Sequence, residues 1–164
     1  MNNADTNVGI ADRHFEDYLP GASAEFGPLV ITEADIIEYA GRYDPQPIHV
    51  DPAAAAAGPF GGLIASGWHT VAVVMRVLVD NYLAHGAALA SPGVDELRWL
   101  KPVRPGDMLR VRVTVLAANR STSRPDRGMV RTSIETMNQR DEVVMRMTAM
   151  NLFRCRSGAG SPGP

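Results

Sequence analysis

Residues 66–83 constrain this chain most. Val71, Val74, Met75, Leu78 and Tyr82 recur at helical spacing, and Val73, Val77 and Leu83 form an adjoining stripe. Only Arg76 and Asp80 are charged in that stretch. A helix apolar around most of its circumference belongs inside a fold. Beyond Ser91-Pro92-Gly93 the period changes to two. Leu109, Val111, Val113 and Val115 alternate with Arg110, Arg112 and Thr114, and Val130, Thr132, Ile134 and Thr136 alternate with Arg131, Ser133 and Glu135. Those patterns predict half-buried strands. Further β-rich runs cover 94–100 and 142–154, and an earlier strand is expected near 26–31. Pro105-Gly106-Asp107 reads as a turn and Arg140-Asp141 as the close of a hairpin. The expectation is an α+β domain, an antiparallel sheet wrapped around one long central helix.

Ahead of that helix, Thr32 and Asp35 form a capping-box-like pair for a helix that should stop near Tyr43, because Pro45 turns Asp44 away from the helical region. Asp51-Pro52 reads as an N-cap with proline at the first helical position, and Gly58-Pro59 as the end of the alanine run 53–57. With 164 residues and 45% apolar content the chain fits one domain with a real core. We expect a loose segment at 1–13, the domain at 14–156 and a disordered Gly/Pro/Ser tail at 157–164. A lone cysteine, Cys155, leaves no internal disulfide and no multi-cysteine zinc site, and points to a reducing, cytoplasmic setting.

Charge is unevenly spread. Residues 1–90 hold eleven acids against three Arg, net −8, and residues 91–164 hold thirteen bases against seven acids, net +6. No run of five like charges occurs, so no nucleic-acid surface is expected. No basic segment followed by an apolar stretch marks a signal peptide. Residues 53–75 lack Asp, Glu, Lys and Arg, but Gly58, Pro59, Gly61, Gly62, Ser66 and Gly67 interrupt them, so no membrane span is expected.

The densest group of reactive side chains is Tyr43-Asp44-Pro45-Gln46-Pro47-Ile48-His49. Pro45 and Pro47 predict a stiff, non-helical loop. Fully extended, its six residues from Asp44 to His49 would span about 20 Å, so the carboxylate and imidazole meet only if the loop bends. Converged, the pair can hold and deprotonate a water. Unconverged, Asp44 ends a turn and His49 is a packed or surface residue. The second group is Gly61-Gly62-Leu63-Ile64-Ala65-Ser66-Gly67-Trp68-His69, a glycine-rich turn feeding the long helix. Its free N–H groups suit a developing oxyanion, and Gly67 admits a close ligand; a plain Ser66 cap explains part of the same pattern. His69 reads as a hydrogen-bonded core residue. The four His lack metal-ligand spacing, so no metal is expected, and no Gly-x-Ser-x-Gly elbow suggests a serine hydrolase.

Taken together, Asp44-Pro45-Gln46-Pro47-Ile48-His49 resembles the Asp-x-Asn-Pro-(Ile/Leu/Val)-His signature of the MaoC-like (R)-specific enoyl-CoA hydratases and dehydratases. Tyr39-Ala40-Gly41, the small residues Ala54 to Ala57, the glycine-rich turn and the segment from Leu97 to Asp107 extend the similarity over about residues 24–156. The resemblance implies a hot-dog fold and a homodimer, or a higher oligomer of dimers, with each site near a subunit interface. It implies reversible syn hydration of a trans-2-enoyl-CoA: Asp44 and His49 hold the water, and Gln46, Ser66 and Gly67 make up the oxyanion and substrate-binding set. No cofactor is implied beyond the coenzyme A of the acyl-CoA substrate. Arg98, Lys101, Arg104, Arg120, Arg124 and Arg127 become candidates for its phosphates. Two departures stand out: Gln46 replaces the usual Asn, and Ser66 stands where many members carry His. The alternatives are a hot-dog acyl-CoA thioesterase and a non-catalytic acyl-thioester-binding subunit.

Overall fold

The computed structural model describes residues 8–156. A single 3₁₀ turn at Phe15–Asp17 precedes β1 (Ser23–Val30), α1 (Glu33–Tyr43), α2 (Pro47–Val50), α3 (Pro52–Ala57) and α4 (Gly67–Asn81). Four strands follow: β2 (Ala88–Trp99), β3 (Met108–Arg120), β4 (Arg127–Met137) and β5 (Val143–Arg154). They form one antiparallel sheet in the order β1-β3-β4-β5-β2. This is the expected α+β arrangement.

Local chemistry sets the helix boundaries. Thr32 Oγ1 accepts the Asp35 N–H at 3.1 Å while the Asp35 carboxylate accepts the Thr32 N–H, so the capping box is complete. Asp51 accepts the N–H groups of Ala53 and Ala54 and starts α3. Ser66 caps α4 by accepting the Trp68 N–H. One expectation is corrected. The double-proline segment is not free of helix, because Pro47–Val50 closes one turn with the His49 and Val50 N–H groups both donating to Gln46 O. Pro47 tolerates that turn because the first helical position needs no N–H donor.

A second correction concerns β2, which begins at Ala88 and runs through Ser91-Pro92-Gly93 rather than starting after them. Among the described residues it is an edge strand paired only with β5, and its register shifts between Ala90 and Gly93. An edge or bulge is where a strand accommodates a proline that cannot donate.

Val74 and Leu78 of α4 pack into one core with Val111, Val113, Val130, Ile134 and Phe153 of the sheet. Burying each such side chain stabilises the fold by about 1.5–3 kcal/mol. Burial of α4 is nevertheless one-sided, against the expectation for so apolar a helix. Trp68, Met75 and Val79 remain 57%, 47% and 38% exposed, and Ala72 lies between them on the same stripe. One sheet covers one side of a helix, and among the described residues nothing covers the stripe on the other. Residues 8–13, expected to be loose, form a turn in which Arg13 donates to Tyr82 O at 3.2 Å. Residues 1–7 and the tail 157–164 lie outside the described residues.

Candidate active site

Asp44 is the C-cap of α1 and His49 rides on the one-turn α2, so the turn at Pro47 supplies the bend that an extended loop lacks. His49 Nε2 sits 3.5 Å from Asp44 Oδ2. Its other nitrogen, Nδ1, lies 2.8 Å from Ile64 O. A carbonyl can only accept, so Nδ1 carries a proton and Nε2 is the nitrogen turned toward the carboxylate. With its Nε2 unprotonated, the imidazole and the carboxylate can both accept from one water or hydroxyl.

The segment before α4 is pinned to the same place. Ile64 N–H donates to Ile48 O, and Ala65 N–H donates to Val103 O. Ser66 Oγ donates to Asp44 Oδ2 at 2.7 Å, and Gln46 Nε2 donates to Asp44 Oδ1 at 2.7 Å. Both carboxylate oxygens are thus held by neutral donors. The Gln46 hydrogen bond, then that from Ser66, keeps the Asp44 carboxyl below its ordinary pKa, against a smaller opposing effect of burial. The extra methylene of Gln46 therefore does not prevent the contact, and Ser66 caps the helix and braces the acid at once.

Asp44, Gln46, His49, Ser66 and Gly67 line one cleft of about 440 Å³. Its remaining wall is mostly apolar and includes Phe60, Trp68, Trp99, Leu100 and Val144. No acceptor takes the Gly67 N–H among the described residues. The close approach expected at Gly67 is made by a side chain of this chain. A Cβ there would lie 2.4 Å from Trp99 Cε2, and Trp99 Nε1–H donates to Gly67 O at 2.9 Å. Trp99 was not singled out in the sequence; the glycine at the head of a buried helix was the only hint that something packs against it.

The basic candidates divide. Lys101 lines the cleft and is ion-paired with Glu142. Arg104 donates to Phe60 O at 2.7 Å and so braces the 58–62 turn. Arg98 bonds its neighbouring Leu97 carbonyl. Arg120 pairs with Glu16 and Arg127 with Asp126, on or beside the β3–β4 hairpin that also carries Arg124. Arg127 stands opposite Arg154, ten residues along β5 from the cleft residue Val144. At strand rise that is about 33 Å, so the hairpin cations do not reach this cleft within one chain.

His69 departs from expectation. It is 4% exposed and stacks on Tyr39 with ring centroids 4.8 Å apart, but its Nδ1 has no hydrogen-bond partner. Burial lowers its pKa, partly offset by the Asp35 carboxylate. Among the described residues no helix is long and apolar enough to cross a membrane.

Comparison with known proteins agrees with this architecture. The crystal structure of a MaoC-like dehydratase from Rhodospirillum rubrum is 44% identical and superposes with a TM-score of 0.82 over 88% of this chain and 98% of its own. An R-hydratase from Pseudomonas aeruginosa is 26% identical with a TM-score of 0.71, covering 92% and 94% of the two chains. A double hot-dog protein from Mycobacterium tuberculosis, at 18% identity and a TM-score of 0.75, shares the fold over 95% of this chain and 48% of its own. Among curated sequences, YdeM of Bacillus subtilis is 32% identical over 69% of this chain and 79% of its own length. The 3-hydroxyacyl-thioester dehydratase Z of Mycobacterium tuberculosis is 39% identical over 50% of this chain, which spans 56% of that relative. The family model for the MaoC like domain matches residues 17–139. With three quarters of its length inside that match and a hot-dog fold around the cleft, the chain belongs to the MaoC-like dehydratase domain family.

Proposed function

We propose that this protein is a hydro-lyase that reversibly adds water to a trans-2-enoyl-CoA, giving the (R)-3-hydroxyacyl-CoA. The observation that carries the reading is the 3.5 Å approach of His49 Nε2 to Asp44 Oδ2 in a cleft that Gly67, the first residue of α4, also lines. A water between the two acceptors donates to both. As its oxygen joins C3 one water O–H breaks to His49 Nε2, and that proton passes to C2 on the same face. Negative charge that develops on the thioester oxygen meets the first turn of α4, where a preorganised N–H is most effective. Gln46 and Ser66 keep Asp44 ionised, so it stays an acceptor throughout. The dehydratase and R-hydratase names of the relatives support the same reaction class.

The reaction needs no cofactor beyond the coenzyme A of the substrate. Of the basic candidates, Lys101 lines the cleft, and the proposal assigns it to the phosphate end of the substrate. The exposed stripe Trp68, Ala72, Met75 and Val79 supports a homodimer. Buried, unpaired Cys155 is in keeping with a cytoplasmic setting. Incubation with crotonyl-CoA tests the reading. Loss of enoyl absorbance without free thiol is the expected result. Thiol release would instead make it a thioesterase, and binding without turnover a non-catalytic thioester-binding subunit.

A further inference from the structure

Trp99 lies outside the acid–imidazole pair, yet it touches the residue on which the thioester oxygen would rest. Its indole covers Gly67 so closely that any side chain there would collide with the ring. Its Nε1–H is bonded to Gly67 O, and its ring meets Trp68 edge to face at 5.2 Å. Glycine is the residue with most backbone freedom, and a helix end frays. Gly67 is the first residue of α4, so its N–H is the donor least restrained by its own side chain. On the other side of that peptide, Ser66 is fastened to Asp44. Gly67 therefore sits between two anchors, Ser66 held by the acid on its N-terminal side and its own Cα and carbonyl held by a side chain of the edge strand 32 residues away.

We propose that Trp99 is a positioning residue: its ring over the Gly67 Cα and its bond to the carbonyl of the following peptide fix the backbone torsions at Gly67, so that the Gly67 N–H is held in place before substrate arrives. The proposal rests on the hydratase reading. Oxyanion stabilisation acts in the transition state and needs a donor that does not have to reorganise. Loosening Gly67 therefore lowers kcat and leaves ground-state binding alone.

The test uses Trp99→Phe, which removes the N–H donor and keeps a ring, and Trp99→Ala, which removes both. The chain has two tryptophans, and in either variant Trp68 is left as the single tryptophan, excited selectively over the tyrosines, on the wall of the same cleft. Its quenching by butyryl-CoA, the saturated analogue, reports binding without chemistry. Thermal melts check that each variant is folded at the assay temperature. For Trp99→Phe, kcat on crotonyl-CoA falls about tenfold while KM and the butyryl-CoA affinity stay at their wild-type values; Trp99→Ala loses more. An active wild type with an unchanged kcat in Trp99→Phe overturns the positioning role alone. So does a variant whose KM and butyryl-CoA Kd rise together at constant kcat, because Trp99 is then only a wall of the cleft. A wild type that leaves crotonyl-CoA unchanged overturns the hydratase reading, and this role falls with it.

Discussion

His49 turns Nε2 toward Asp44 Oδ2 across 3.5 Å because its Nδ1–H is committed to the Ile64 carbonyl. The imidazole is oriented by the segment leading into α4, and the carboxylate by Ser66 at the head of the same helix. Removing either partner should therefore cost catalysis far more than stability. Asp44→Asn and His49→Gln are each expected to lower the crotonyl-CoA hydration rate at least about a hundredfold, the scale of one acid–base group. Steady-state assays beside thermal melts check this, and full activity in both variants would refute the site.

Gln46 gives a pH prediction. Its amide is the largest influence holding the Asp44 carboxyl below its ordinary value of 3.8. That hydrogen bond favours the charged form, so deleting it raises the pKa. In Gln46→Met the Asp44 carboxyl should titrate at higher pH than in the wild type, and the acid limb of kcat/KM governed by it should move upward. Carboxyl carbon shifts followed by NMR across the acid range read this directly. An unmoved titration would mean that Ser66 alone holds the acid.

His69 predicts a distinct pH effect on stability. Its folded pKa lies below the ordinary 6.5, mainly through burial. The folded state then binds fewer protons than the unfolded chain once the pH drops below about 6.5. Stability from the neutral ring is complete above that value and is lost as pH falls toward the folded pKa. Thermal melts between pH 5 and pH 7.5 should show a midpoint that falls on acidification. The slope should be shallower in His69→Leu, and equal slopes would contradict the assignment.

Two glycines meet aromatic rings, and substituting them should separate folding from catalysis. A Cβ at Gly128 would lie 2.2 Å from Phe15 Cε2, and one at Gly67 would strike Trp99. Overpacking of this kind costs about 1–3 kcal/mol. Gly67→Ala and Gly128→Ala should both lower the urea midpoint. Only Gly67→Ala should reduce kcat at low temperature, since Phe15 packs at the far end of β4 from the cleft.

The exposed stripe of α4 makes the last prediction. Wild-type protein should sediment at about twice the 17.7 kDa chain mass, and Met75→Glu should shift it toward the monomer. A monomeric wild type would remove the dimer from the proposal.

Much of this molecule is legible along the chain. Thr32 with Asp35, Asp51 with Pro52, and Ser66 each announce a helix start through groups only two or three residues away. The period-two runs announce β3 and β4 because alternation follows from the pleat of a single strand, and β-rich composition announces β5. The motif from Asp44 to His49 brought the acid and the imidazole forward as candidates. What those residues do together was decided elsewhere. One turn at Pro47–Val50 brings His49 to Asp44, and Ile64 O, fifteen residues on, selects which nitrogen faces the acid. Trp99 reaches Gly67 only because the β2 edge lies beside the head of α4, and the same topology leaves Arg124 and Arg127 far from the cleft. Capping and periodicity are local and are written in neighbouring residues. The approach of a ring to a glycine, or of an acid to an imidazole, depends on how distant segments pack, and no spacing along the chain encodes it.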